Sequence, residues 1–384
     1  MKSFVTPVAM ASPPTVAAPG THFGASTIAS AKTILPNAAS QQLFLGTDVI
    51  IDAGGSRANP AHIRLSSTAG TAGKGDYFGG NFTKRAIMTD ADVVEFQFDH
   101  APGGSFRFFV DDQPVQVAGT ATFTDFTVRR SKLTFASSAA RKIELELTKG
   151  AHWEICVGPN YSVWKPEVDP LRVMLIGDSY IDNGGYATTY IDSLGPQLAR
   201  TFGVPDVFLA GYGGQSYNTV VPVGMSGTGY PISHIPYDIT PYKPDWLIVA
   251  LGINDFTATA SALQAAVTAY YTAIFAANPN MIVTVIGPWN APGQIVPSAI
   301  ANAIRDGVAA LTAYVTTKQI MYIDTFLEDW FQNAGRVGAP SGAGNSNIYI
   351  GADNIHQVQA GQDFLRRRIA NACMQHLEAI LASR

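Results

Sequence analysis

The chain has 384 residues, long for one domain, and its 47% apolar and 14% charged content buries a large core and excludes global disorder. A net charge of -4 leaves no electrostatic footprint for nucleic acid or an anionic membrane surface, and no apolar run reaches the length of a membrane span. Two cysteines, Cys156 and Cys373, exclude a disulfide scaffold and a Cys-based zinc site, and two free buried thiols are the default.

Residues 1–40 are rich in Ala, Ser, Thr, Pro and Gly and are expected to form an extended N-terminal arm. The stretch Met1–Ala11 is too short and polar for a convincing signal peptide, so the compartment stays open. From 41 to 162 short β-type runs follow one another: 42–45, 48–51, 93–98, 106–110, 120–124, 132–135 and 142–147. The last alternates apolar and charged residues, as a half-buried strand does, and Gly and Asp turn signals separate the runs. This pattern predicts a β-sandwich of jelly-roll type.

Residues 163–170 carry two prolines and are expected to be a linker. Over 171–384 the pattern alternates strand and helix, with strands at 172–176, 206–210, 245–250, 281–286 and 320–324 and helices at 188–202, 258–277, 297–317 and 359–382. Alternation of this kind implies an α/β domain, a parallel sheet covered on both faces. Arg366-Arg367-Arg368 falls in the last helix and is expected to be a solvated face.

Four segments carry the chemistry. The first strand ends in Gly177-Asp178-Ser179, which puts a hydroxyl where open α/β sheets place their ligands. The second runs into Gly213-Gly214, either a tight turn or backbone N–H groups aimed at a ligand. The third ends Gly252-Ile253-Asn254-Asp255, whose Asn is either a turn former or a neutral donor to a developing oxyanion. Asp353-Asn354-Ile355-His356 precedes the last helix, a spacing that lets a carboxylate reach an imidazole Nδ1. Each has a plain turn reading; together they supply nucleophile, base, orienting carboxylate and oxyanion donors.

As a set the four blocks resemble those of the SGNH, or GDSL-type, hydrolase superfamily over about 170–384. The resemblance implies a three-layer, flavodoxin-like fold and a serine esterase that needs no metal or organic cofactor. It makes Ser179 the nucleophile, His356 the base and Asp353 its orienting partner, with Ser179 N–H, Gly214 and Asn254 as the oxyanion hole. Tyr180 stands where the family commonly has an aliphatic residue, and Gly213 where a small polar residue often precedes the oxyanion glycine. A β-sandwich ahead of such a domain is similar to the layout of family-2-type carbohydrate esterases.

The implied substrate is a short acyl ester, acetyl foremost, on a carbohydrate. Tyr180, Tyr217, Trp289 and Asn290 are the expected substrate contacts, and the Tyr-rich stretch from Tyr217 through Tyr230, His234 and Tyr237 to Tyr242 a wall over the site. Two rivals stand beside this: a lipase or thioesterase of the same fold, and a glycan-binding attachment protein with an inactive hydrolase-like domain. No nucleic-acid or membrane partner is expected.

Overall fold

The structure is a computed structural model that describes residues 10–21, 25–46, 49–51, 54–55, 57–60, 82–100, 102–115, 128–168, 171–182, 185–211, 213–218, 231–236, 238–327, 330–332 and 335–383. By compactness the chain divides into two units. The first takes Met1–His62, Asn81–Pro170 and Thr189–Asp192, and the second includes Leu171–Thr188 and Ser193–Arg384.

The first unit is built from antiparallel strands. In chain order they are β1 (Thr15–Thr21), β2 (Lys32–Ile34), β3 (Leu43–Leu45), β4 (Val49–Ile51), β5 (Ala58–Pro60), β6 (Phe82–Thr89) and β7 (Val93–His100). Then come β8 (Phe106–Val110), β9 (Gln113–Pro114), β10 (Arg129–Thr134), β11 (Arg141–Thr148), β12 (Gly150–Val157) and β13 (Val163–Trp164). One sheet runs β1-β10-β7-β12-β5-β4 with β2 on β12; the other runs β13-β6-β11-β8-β9 with β3 on β6. Ile143, Leu145 and Leu147, alternate residues of β11, enter the core with Val94, Phe96 and Phe98 of β7. Phe96 meets Phe108 at 5.2 Å and Phe98 meets Phe106 at 4.9 Å, so rings from both sheets interlock in a sandwich.

Two expectations change here. The arm is not free: Thr15–Thr21 pairs with β10 and Lys32–Ile34 with β12, because an extended segment needs only an open sheet edge to become a strand. Residues Val163–Trp164 of the expected linker pair with Thr89 and Met88 of β6. The expected strand at 120–124 lies outside the described residues.

The second unit has five parallel strands: β14 (Arg172–Gly177), β15 (Asp206–Gly211), β16 (Trp246–Ala250), β17 (Ile282–Ile286) and β18 (Ile320–Ile323). Their order is β15-β14-β16-β17-β18, and β14, β15 and β16 are buried along almost their whole length, as strands covered on both faces are. The helices are α1 (Ser179–Asp182), α2 (Leu194–Phe202), α3 (Pro231–His234), α4 (Ile239–Tyr242), α5 (Ala260–Ala277), α6 (Ser298–Ala309), α7 (Thr312–Thr316), α8 (Ser346–Tyr349) and α9 (Gln359–Ala382). α2 packs on α9 and α5 on α6, giving a three-layer domain. The strand order reverses at β14, and open α/β sheets bind ligands beyond the strand ends at such a switch point.

Both cysteines are free and buried. The triple-arginine face is corrected in part: Arg366 is buried and donates to Thr201 Oγ1 at 3.0 Å, while Arg367 is exposed.

Candidate active site

Ser179 is the first residue of α1, directly beyond β14. The Asp178 carbonyl accepts from the amides of Ile181 (3.1 Å) and Asp182 (2.9 Å), which turns the chain from strand to helix and leaves Ser179 half-buried at the sheet edge. Gly177 is level with Gly211 of β15 and with Ala250 of β16, so the Gly213-Gly214 and Asn254 loops leave the same edge as Ser179. A Cβ on Gly211 would sit 2.4 Å from the Asp182 amide nitrogen; only glycine lets β15 pass this close to α1. Gly214 has φ +77°, a left-handed turn suited to the same residue type.

His356 comes from the loop before α9. Its Nε2 lies 2.7 Å from Ser179 Oγ and its Nδ1 2.6 Å from Asp353 Oδ2. The second Asp353 oxygen accepts the amides of Ile355 and His356, both at 2.9 Å, which folds the loop on itself. Burial raises the Asp353 pKa, but the His356 ring and the two amides outweigh it and keep this carboxyl below its ordinary range. An ionised Asp353 accepts a hydrogen bond from Nδ1–H and leaves Nε2 as the acceptor for Ser179 Oγ–H.

Asn254 lies in the turn Ile253–Asp255 and is half-buried. Its Nδ2 donates to Gln215 O at 3.0 Å and to Asp178 Oδ2 at 3.3 Å, and the backbone carbonyl, which can only accept, fixes the amide's nitrogen end on that side.

The expected substrate contacts fare differently. Tyr180 is 2% exposed: its ring lies 5.5 Å from the His356 ring and 4.9 Å from Trp289, and its hydroxyl donates to Ile355 O at 3.2 Å. It therefore backs the imidazole. Trp289 is buried between Tyr180 and Trp330. Tyr217 is buried, with its hydroxyl 2.6 Å from that of Tyr271 on α5, so its side chain points into the core and away from a substrate wall. Tyr242 is also interior, bonded through its hydroxyl to Asp206 at 2.9 Å where β15 begins, the opposite end of the sheet. Asn290 is half-buried and accepts from Val296 N at 2.9 Å, which closes its own loop. Tyr230 and Tyr237 lie outside the described residues.

That 290–296 loop is a feature the sequence did not reveal. Gly293 N donates to Asn354 O at 2.8 Å and Gln294 Nε2 to Ile253 O at 2.5 Å, tying the histidine loop to the Asn254 turn. Three buried aspartates were also missed: Asp178, Asp182 and Asp255. Their signal was in plain sight, one residue before Ser179, one turn after it and one residue after Asn254.

Residues 175–364 match the GDSL-like lipase/acylhydrolase family. No sequence among the curated proteins matches the chain. Solved structures share the whole fold at low identity. A salicylyl-acyltransferase from a tetracycline biosynthetic pathway aligns over 92% of this chain and 98% of its own, with TM-score 0.68 and 12% identity. A family two carbohydrate esterase from Cellvibrio japonicus aligns over 91% and 98%, with TM-score 0.60 and 11% identity. An acetyl xylan esterase from the rumen bacterium Butyrivibrio proteoclasticus aligns over 91% and 99%, with TM-score 0.57 and 11% identity.

Proposed function

Since residues 175–364 belong to the GDSL-like lipase/acylhydrolase family and the protein is an SGNH-type esterase, we propose that it removes short acyl groups, acetyl foremost, from a carbohydrate through an acyl-Ser179 intermediate. The observation that carries this reading is the unbroken relay Ser179 Oγ, His356 Nε2, His356 Nδ1, Asp353 Oδ2, with links of 2.7 and 2.6 Å.

In the first half-reaction Ser179 Oγ attacks the ester carbonyl as its proton passes to His356 Nε2, and Asp353 stabilises the imidazolium. The negative oxygen is received by the N–H groups of Ser179 and Gly214 and by Asn254 Nδ2, which gives up its 3.3 Å bond to Asp178 Oδ2 for it. The imidazolium returns its proton to the leaving alcohol; the freed imidazole then activates water, which cleaves the acyl-serine. Family 2 carbohydrate esterases and an acetyl xylan esterase among the structural neighbours support an acetylated sugar polymer as substrate. The acyltransferase neighbour favours one second reading, in which an alcohol replaces water as acyl acceptor.

The test is turnover of p-nitrophenyl acetate by wild type and Ser179→Ala. The variant is expected to lose roughly 10⁶ in kcat, and equal rates would overturn the hydrolase reading. In the same assay the wild-type rate falls from acetyl to octanoyl esters; a rise supports a lipase instead. Acetate released from acetylated polysaccharides identifies the polymer, and a new ester in place of free acid, when an alcohol is added, selects acyl transfer.

A further inference from the structure

The three buried aspartates surround the groups assigned to the oxyanion. Asp182 Oδ2 accepts Gly213 N at 2.8 Å, at the start of the loop that carries Gly214. Asp255, fully buried, accepts Tyr217 N on Oδ2 and Asn218 N on Oδ1, both at 2.9 Å, at the end of that loop. Asp178 Oδ1 accepts Tyr180 N at 3.1 Å, and its Oδ2 accepts the Asn254 amide. Among the described residues no such group is arranged to hold a metal ion. These carboxylates hold backbone amides and, at Asp178, the Asn254 side chain.

Resting on the esterase reading of Ser179, we infer that Asp255 is a positioning residue for the oxyanion hole: as a carboxylate it clamps the Gly213–Asn218 loop, and with it the Gly214 N–H, against the turn that bears Asn254. The reason is which atoms donate. Each of the two consecutive N–H groups points at its own Asp255 oxygen, so amidation or protonation of that oxygen sets a donor against an amide donor, which an ionised carboxylate never does. Asp182 anchors the other end of the loop, so Gly214 lies between two fixed points.

Burial pushes Asp255 up to about 6 even though the two amides favour its charge. The titratable groups that feel its charge are Asp178 and the phenol of Tyr217. Burial, with the charges of Asp255 and Asp182 adding to it, pushes Asp178 up to about 7. Asp178 therefore takes its proton first as pH falls, which removes one like charge from beside Asp255. Below about pH 6 the clamp protonates and the loop loosens.

The experiment compares Asp255→Asn with wild type on p-nitrophenyl acetate across pH, with circular dichroism recorded at each pH. Misplacing one donor is expected to lower kcat by roughly 10²-fold with KM little changed. The wild-type acid limb of kcat should be steeper than one proton, and the limb of Asp255→Asn should be shallower than that of the wild type. A folded Asp255→Asn protein with wild-type kcat, or one altered only in KM, overturns the inference. If the variant does not fold, the wild-type limb decides: a one-proton slope overturns the clamp and a steeper one supports it. Ser179→Ala separates the two levels. If that variant turns over normally the esterase reading itself fails; if it is dead while Asp255→Asn is normal, only the clamp fails.

Discussion

The two units bury charge in opposite ways. In the sandwich, buried charges meet charges of opposite sign: Arg107 pairs with Asp192, Lys84 with Glu146 at 3.2 Å, and Arg130 with Glu95 and Glu154. Arg85, which meets no carboxylate at hydrogen-bond distance among the described residues, donates instead to Gln42 Oε1 at 2.6 Å, Ile34 O at 3.2 Å and the Trp153 carbonyl, and burial pushes it down to about 9. Beneath the site of the second unit, Asp178 and Asp255 meet only N–H donors among the described residues. Hydrogen bonds from neutral donors orient a carboxylate but do not cancel its charge, so these two groups titrate near neutrality. Paired charge fixes structure at any ordinary pH. A carboxylate left to amides fixes structure only while it stays ionised, and that suits a site whose geometry is needed in one protonation regime.

Three measurements break or sharpen this contrast. The largest effect is expected at the relay: Asp353→Asn keeps the shape but loses the charge that sets the His356 tautomer, and kcat should fall by roughly 10⁴ with the fold intact. A loss under tenfold would place this carboxylate among the merely structural ones. Next is Arg107→Ala, which leaves the Asp192 carboxylate buried without its guanidinium and should cost about 3–5 kcal/mol of stability in urea unfolding. A near-neutral result would show that the sandwich pairs are not what neutralises its interior.

The smallest effect is a pH dependence. Asp178 and Asp255 have folded-state pKa values above those of an unfolded chain, so the folded protein binds protons that the unfolded chain releases. Their contribution to stability is fully present below the ordinary carboxylate range and is lost as pH rises to about 7. Unfolding by urea should become easier over that window, and Asp178→Asn should flatten the slope. A rise in stability over the same window would mean that pairing, and not burial, governs both units.

Much of this was legible in sequence, and the exceptions share a cause. The strand ending Gly177-Asp178-Ser179 and the Asp353–His356 loop stand out because local spacing alone creates them. The strand pairing of Thr15–Thr21 does not, because an Ala-, Thr- and Pro-rich segment has no alternation of its own and takes its conformation from β10. Tyr217 looked like a surface aromatic among glycines and prolines, yet its hydroxyl meets Tyr271 more than fifty residues away. Arg366 looked solvated beside two other arginines, but the helix turns it toward Thr201. Asp255 gives no signal beyond its place after Asn254, because its partners, two backbone amides near position 217, carry no side-chain signature.

The first unit takes its last piece, Thr189–Asp192, from beyond the proline-rich stretch that reads as its end. That piece brings the carboxylate for Arg107 and the Ile191 amide that donates to Ser105 Oγ at 2.8 Å. A gene fragment cut at residue 170 would therefore encode a sandwich lacking both. Recombination or engineering that swaps the catalytic half for another must carry these four residues across the joint. The place where the sequence divides most cleanly is not the place where the protein can be taken apart.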